Sequence, residues 1–191
     1  NGVDQTIFRP TENDLRKKLG LEHSFVILGV ANVWERRKGL SYFCGLAKKL
    51  PEDCKIILIG LNEKQIRELP EEIIGITRTE NAEELAGYYS MADVFVNATL
   101  EDNFPTTNLE ALSCGTPVIT FETGGSPESL DKTCGRVVRK GDAEELWQAI
   151  LAEREHPMRK EDCLTRAVQY EKNDRFMEYA ALYHRLWGQG E

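Results

Sequence analysis

An open parallel α/β sheet of about six strands, with helices on both faces and a further helix at the C-terminus, is the architecture this chain predicts. Short β-rich apolar runs alternate with segments of helical period, which is the pattern of parallel strands joined by crossover helices. At 191 residues the chain fits one ordinary domain plus an appended helix, long enough to bury a substantial core.

Residues 1–20 read as a lead-in. They open on Asn1-Gly2-Val3-Asp4, which is turn chemistry, and without an initiator Met, so a longer protein is expected. The body is expected over residues 21–171. Its strands are placed at Phe25 to Val30, Lys55 to Gly60, Ile73 to Thr77, Val94 to Ala98, Pro117 to Phe121 and Gly135 to Val138. Between them, Ala82, Leu85, Ala86 and Tyr89 share one helix face, and Leu146, Trp147, Ile150 and Leu151 share another. The helix that carries Glu110 is expected to stop at a left-handed Gly115 followed by Pro117. Residues 172–191 form the last helix, capped by Asn173. Its stripe of Phe176, Tyr179, Ala180, Tyr183, Leu186 and Trp187 has core burial as its ordinary fate; the alternative is a docking surface for an absent domain.

The bulk properties narrow the function. A net charge of −8 argues against a surface that tracks nucleic-acid phosphates and fits a small anionic ligand in a local basic pocket better. Five cysteines, an odd number without C-x-x-C spacing, indicate neither a disulfide framework nor a zinc site, and read as reduced, mostly buried thiols of a cytosolic protein. There is no long apolar run and no signal peptide.

Ligands of open α/β sheets sit beyond the carboxyl ends of the strands, so the loops there matter most. After the fourth strand, Asp102-Asn103-Phe104-Pro105-Thr106-Thr107-Asn108-Leu109-Glu110 sets two carboxylates across a helix start. Asn103 and Pro105 suit that start, with Pro105 expected at the first helical position. Thr106, Thr107 and Asn108 then offer unpaired amides at the positive end of a helix, a seat for phosphate, and Glu110 lies one turn deeper, within reach of sugar hydroxyls. After the first strand come Arg36, Arg37 and Lys38 beside Gly39, a cluster able to clamp a diphosphate; the bland alternative is a solvated charged loop. After the fifth strand, Gly124 and Gly125 permit close approach of backbone to a ligand, and Ser126-Pro127-Glu128 reads as an ordinary helix start in which Glu128 is structural.

Absences are informative too. The chain has no G-x-G-x-x-G after its first strand, no G-x-x-x-x-G-K-[ST] and no G-x-S-x-G, and its three histidines lie far apart in sequence. No Asp-x-Asp pair offers a divalent-metal seat, so no metal or other cofactor is expected, and neutralising a diphosphate falls to Arg37, Lys38 and the helix end.

The run from Asp102 to Glu128, with its Glu-Ala-Leu-Ser-Cys-Gly-Thr-Pro-Val block, the Lys38-Gly39 loop and the opening Asn-Gly-Val-Asp, resembles the donor-binding half of family 4 (group 1) retaining glycosyltransferases of the glycosyltransferase-B fold. The similarity covers roughly residues 1 to 155. It implies a Rossmann-like nucleotide-sugar-binding domain, cytoplasmic, with the full-length protein peripheral at the cytoplasmic face of a membrane. It implies transfer, with retention, of a sugar from a nucleoside-diphosphate sugar to a saccharide or lipid-linked acceptor in bacterial surface polysaccharide biosynthesis. An N-terminal acceptor-binding domain would complete the cleft, and the C-terminal helix would dock on it.

By the same resemblance, Glu110 holds the ribose, Lys38 the diphosphate, and Thr106, Thr107, Asn108 and Leu109 give backbone donors around phosphate and sugar. Ile76, Thr77 and Arg78 edge the base, while Phe104, Pro105 and Gly125 complete the surroundings. Two positions depart from the family pattern. Asp102 stands where a glutamate is usual, with Glu101 as a neighbouring substitute, and Asn32 stands where an arginine is usual, with Arg36 or Arg37 to replace its charge. Those departures keep a non-catalytic nucleotide-binding or scaffold module open as an alternative, beside an epimerase or phosphorylase of the same fold.

Overall fold

In the computed structural model, which describes residues 1–187, six parallel strands form one sheet in the order β3-β2-β1-β4-β5-β6. They are β1 (Phe25–Val30), β2 (Cys54–Ile59), β3 (Ile73–Ile76), β4 (Val94–Asn97), β5 (Val118–Phe121) and β6 (Gly135–Val138). Each differs from its expected bounds by at most one residue at either end. The helices are α1 (Leu15–Leu19), α2 (Leu40–Ala47), α3 (Glu63–Arg67), α4 (Ala82–Met91), α5 (Thr106–Ser113), α6 (Ala143–Glu155), α7 (Lys160–Ala167) and α8 (Lys172–Trp187).

Alternation along the strands divides the core between the two sheet faces. Ile27, Ile56, Leu58, Val96 and Ile119 pack with Phe43 and Leu46 of α2 and with Leu146 and Ile150 of α6. Val26, Leu28, Ile57, Phe95 and Val118 pack on the other face with Tyr89 of α4, Leu112 of α5 and Cys163 of α7. The five cysteines are free, and four of them are buried. Burial pushes the thiols of Cys134 and Cys114 up, to about 11 and about 12 respectively. Among the described residues no helix is long and apolar enough to cross a membrane.

The lead-in packs onto the body: Val3 is buried and bridges Glu171, and Gln5 Nε2 donates to the Ala167 carbonyl at 2.6 Å. Asn1 Nδ2 donates to the Phe104 carbonyl at 3.0 Å, so the first residue touches the loop that precedes α5. The last helix departs from expectation in two ways. Its cap is the Glu171 carboxylate, which accepts from the amides of Asn173 (2.6 Å) and Asp174 (3.2 Å), so Asn173 lies inside the helix. Its aromatic stripe is also uncovered, with Phe176 71%, Tyr183 70% and Trp187 88% exposed, which overturns core burial as its fate. Helical period shows that residues share a face; it does not show what meets that face. Residues 188–191 of the expected helix lie outside the described residues.

One buried polar network fixes the start of α5. Asn108 is fully buried; its Nδ2 donates to Ser126 Oγ (2.9 Å) and Ser129 Oγ (3.0 Å), and its Oδ1 accepts from Asn97 Nδ2 (2.8 Å). Ser126 Oγ lies 2.7 Å from Thr120 Oγ1, which carries the network to β5. The far end of α5 closes through the amides of Gly115 and Thr116 onto the carbonyls of Leu112 and Ala111, both at 2.9 Å, with Gly115 left-handed as expected. Replacing Asn108 with Leu keeps the bulk and removes every one of its polar bonds. The expected result is a loss of about 2–3 kcal/mol and a Tm lower by about 4–10 °C; an unchanged thermal melt would show that the network does not hold α5 in place.

Candidate functional site

Strand order reverses between β1 and β4, so the loops after these two strands diverge and leave a crevice at their carboxyl ends. The loop after β1 holds Asn32 to Gly39, with Arg36–Lys38 in a single 3-10 turn. Trp34 anchors it: the indole is buried edge-on against Phe43, and its Nε1 donates to the Ile59 carbonyl at 2.9 Å. The loop after β4 is bonded to it directly. The Leu100 amide donates to the Arg37 carbonyl at 2.7 Å, the Thr99 hydroxyl donates to the same oxygen at 3.3 Å, and Arg37 Nη1 donates to the Glu101 carbonyl at 3.4 Å. Gly39 makes this approach possible. Its φ is +79°, and any Cβ there would collide with the Ala98 carbonyl.

Lys38 is thereby brought to the start of α5. Its Nζ lies 2.7 Å from Asp102 Oδ2, and both side chains are about four-fifths buried. The Asp102-Asn103 turn is supported from behind by the β5 loop, where the Gly125 amide donates to the Asn103 carbonyl at 2.7 Å. Gly124, with φ of +49°, lies so close to the Asp102 carbonyl that a side chain would collide with it. Pro105 is the residue before the helix, with ψ of 120°, and α5 begins at Thr106, one residue later than expected. Its extended backbone is the usual one for a residue preceding a helix, and no side-chain cap is formed there.

Two hollows meet at this point. The first, of about 470 Å³, is lined by Asn32, Arg37, Lys38, Asp102, Thr106 and Thr107, with Phe104 and Pro105 at its side. The second, of about 320 Å³, is lined by Asn32, Thr77, Arg78, Thr107 and Glu110, with Leu85 as an apolar wall. Because Asn32, Thr106 and Thr107 belong to both, the two form one elongated cleft of a size common for small-molecule ligands.

Glu110 lines the second hollow. Tyr89 Oη donates to its Oε2 at 2.9 Å. Burial raises the Glu110 carboxyl above the ordinary glutamate range, while the hydroxyls of Tyr89 and Thr106 pull in the opposite direction by favouring the charged form. Burial, and then the charge of Glu110, push the Tyr89 phenol well above its usual value, so that it serves as a donor.

Of the residues singled out from the sequence, Asn32, Arg37, Lys38, Thr77, Arg78, Asp102, Phe104, Pro105, Thr106, Thr107 and Glu110 line the joined cleft. Arg36 is exposed and lines neither hollow, so Arg37 is the arginine that faces the first one. Asp102, not Glu101, meets Lys38. The side chains of Asn108 and Leu109 point into the core, leaving only their backbone toward the helix start. Gly125 lines neither hollow and has its amide bonded to Asn103. Glu128 is exposed; its carbonyl accepts from Arg166 and Tyr170, in keeping with a structural part. Tyr89 and Trp34 give no signal in the sequence beyond that of core aromatics, and Asn97 none beyond that of a strand end. Among the described residues no group of three or more His, Cys, Asp or Glu side chains is placed to hold a metal ion.

Residues 24–153 match the family model for "Glycosyl transferases group 1". The MMP alpha-(1->4)-mannosyltransferase of Mycolicibacterium hassiacum is 29% identical over 78% of this chain and 37% of its own length. Sucrose-phosphate synthase from Thermosynechococcus elongatus superposes with a TM-score of 0.85 at 24% identity, over 99% of this chain and 52% of that one. Anabaena HepE, solved in complex with UDP-glucose, superposes with a TM-score of 0.84 at 20% identity, over 97% of this chain and 56% of that one. The chain spans less than half the length of the curated relatives it matches. With all six strands of its sheet inside the matched region, the chain belongs to the group 1 glycosyl transferases.

Proposed function

We propose that this chain is the donor-binding half of a retaining, metal-independent glycosyltransferase that moves a sugar from a nucleoside-diphosphate sugar to a saccharide or lipid-linked acceptor. The observation that carries the reading is the meeting of Lys38, Arg37 and the amide end of α5 in one hollow, continuous with a second hollow lined by Glu110. Cations and helix-end amides converging on one point suit a diphosphate. A carboxylate one helical turn deeper suits the paired hydroxyls of a ribose. The apolar wall of Leu85 beside Thr77 and Arg78 suits a base edge. HepE, whose structure contains UDP-glucose, has the same fold.

In this reading Lys38, Arg37 and the amides of Thr106, Thr107, Asn108 and Leu109 stabilise charge on the diphosphate as its bond to the sugar C1 breaks. A diphosphate oxygen takes the acceptor proton as the acceptor oxygen bonds C1 on the same face. Asp102 orients the sugar, Asn32 sits where the two hollows join, and Phe104 and Pro105 shape the side of the first. The chemistry is positioning and charge stabilisation, and the chain needs no strong base of its own.

The acceptor half belongs to a longer protein, and the uncovered aromatic face of α8 is its docking surface. Support comes from the share of each relative that this chain spans and from the exposure of that face. A place at the cytoplasmic face of a membrane, in surface polysaccharide assembly, fits a lipid-linked acceptor.

Calorimetry with UDP, GDP, ADP and their sugars tests the reading. Lys38→Ala is expected to weaken the preferred nucleoside diphosphate and inorganic pyrophosphate alike, by about tenfold or more. Glu110→Ala is expected to weaken the nucleoside diphosphate alone, and Asp102→Ala to reduce the preference for the sugar-bearing form. Failure of all three nucleotides to bind, or equal affinity for wild type and Glu110→Ala, would sink it.

The pH dependence follows from the raised Glu110 carboxyl. A protonated Glu110 loses its value as acceptor for ribose hydroxyls, so nucleoside affinity falls as pH drops through the raised value, earlier than for an ordinary glutamate. Glu110→Gln is expected to abolish that limb, which titration calorimetry between about pH 4.5 and 8 would detect. The chain by itself is expected to bind donor weakly and transfer nothing; glycoside product from the purified chain would contradict the half-cleft reading.

A further inference from the structure

We infer that Tyr89 is a positioning residue for Glu110, its buried hydroxyl holding Oε2 so that the other carboxylate oxygen is presented to the ribose. The inference rests on the donor-site reading above and names the part of α4 on which that reading depends.

Tyr89 is fully buried. Its ring lies edge-on to Phe95 (centroids 5.4 Å apart) and to Phe8 (6.1 Å), an environment that a phenylalanine would fill equally well. The hydroxyl is the one group that phenylalanine lacks, and burying it is costly unless it is bonded. Its bond is to Glu110, at 2.9 Å, and a phenol donating to a carboxylate is among the stronger hydrogen bonds. The backbone around Tyr89 is fixed as well, since its carbonyl accepts from the Thr116 hydroxyl at 2.6 Å, just past the end of α5. The tyrosine thus ties α4 to the middle of α5 and to the residues just past its end.

A glutamate free in a cleft must lose the freedom of three side-chain torsions when a ligand arrives. Held at one oxygen, it has lost most of that freedom beforehand, and the ligand meets a preformed acceptor. The polar and titratable groups around this carboxylate are Tyr89 from α4, Thr106 from α5 and Cys114 just past its end, and Arg78 lines the same hollow. Of these, Tyr89 Oη donates to it at 2.9 Å.

The test compares wild type, Tyr89→Phe and Glu110→Gln by calorimetry, with the preferred nucleoside diphosphate and with inorganic pyrophosphate. Tyr89→Phe is expected to weaken the nucleoside diphosphate roughly tenfold and to leave pyrophosphate unchanged, which a general loosening of the fold would not do. Its acid limb should move to higher pH, because the ionised carboxylate has lost a donor. In the Glu110→Gln background the same change should cost little. Fluorination of the Tyr89 ring strengthens the phenol as a donor while keeping the hydroxyl, and should move the limb to lower pH. Normal nucleoside diphosphate affinity with an unmoved limb in Tyr89→Phe would overturn this inference and leave the donor-site reading standing. A wild-type chain that binds pyrophosphate but no nucleoside diphosphate would overturn both.

Discussion

The buried amide of Asn108 is the polar joint on which the geometry of the cleft depends. A helix start can serve as an anion seat only if it is held still, and α5 is short, with no side-chain cap at its first turn. Asn108 supplies the missing restraint from inside, through Ser126, Ser129 and Asn97, in a place where water cannot compete for its bonds. The result is that the amides of Thr106 and Thr107 face the crevice while the side chain one position later faces the core. Binding polarity on one side of the turn is made possible by satisfied polarity on the other.

Around that joint the chain relies on backbone contacts more than on side chains. Arg37 meets the β4 loop through its carbonyl, and Gly39 and Gly124 remove the atoms that would keep neighbouring backbones apart. Lys38 and Asp102 are therefore placed by main-chain geometry, with their own ion pair as a finishing contact. This arrangement suits a site whose work is electrostatic, since donors fixed before the ligand arrives need no rearrangement when charge develops.

The strands were legible because period and composition agree at every one of them, and the order of loops followed from parallel connections. The choice of Arg37 over Arg36 was not legible, because adjacent residues in a 3-10 turn point apart and the turn itself has no sequence mark. The sequence marks Asn108 only for its backbone amide and leaves its side chain without a role, because its partners lie eleven to twenty-one positions away and are joined to it only by the fold. Glu171 escaped notice as a cap because glutamate is not among the residues favoured there. The uncovered stripe of α8 marks the same limit from the other side, for amphipathic spacing gives a face and not its partner.

The sheet is also uneven along its width. β1 pairs with β2 along its whole length, yet β1 and β4 share just two paired positions, Ile27 with Val94 and Leu28 with Phe95. That seam is the shortest pairing in the sheet, and the cleft opens at its carboxyl end. A molecule lying from Lys38 to Glu110 would therefore touch loops from both half-sheets, bridging the place where the strands themselves are joined least.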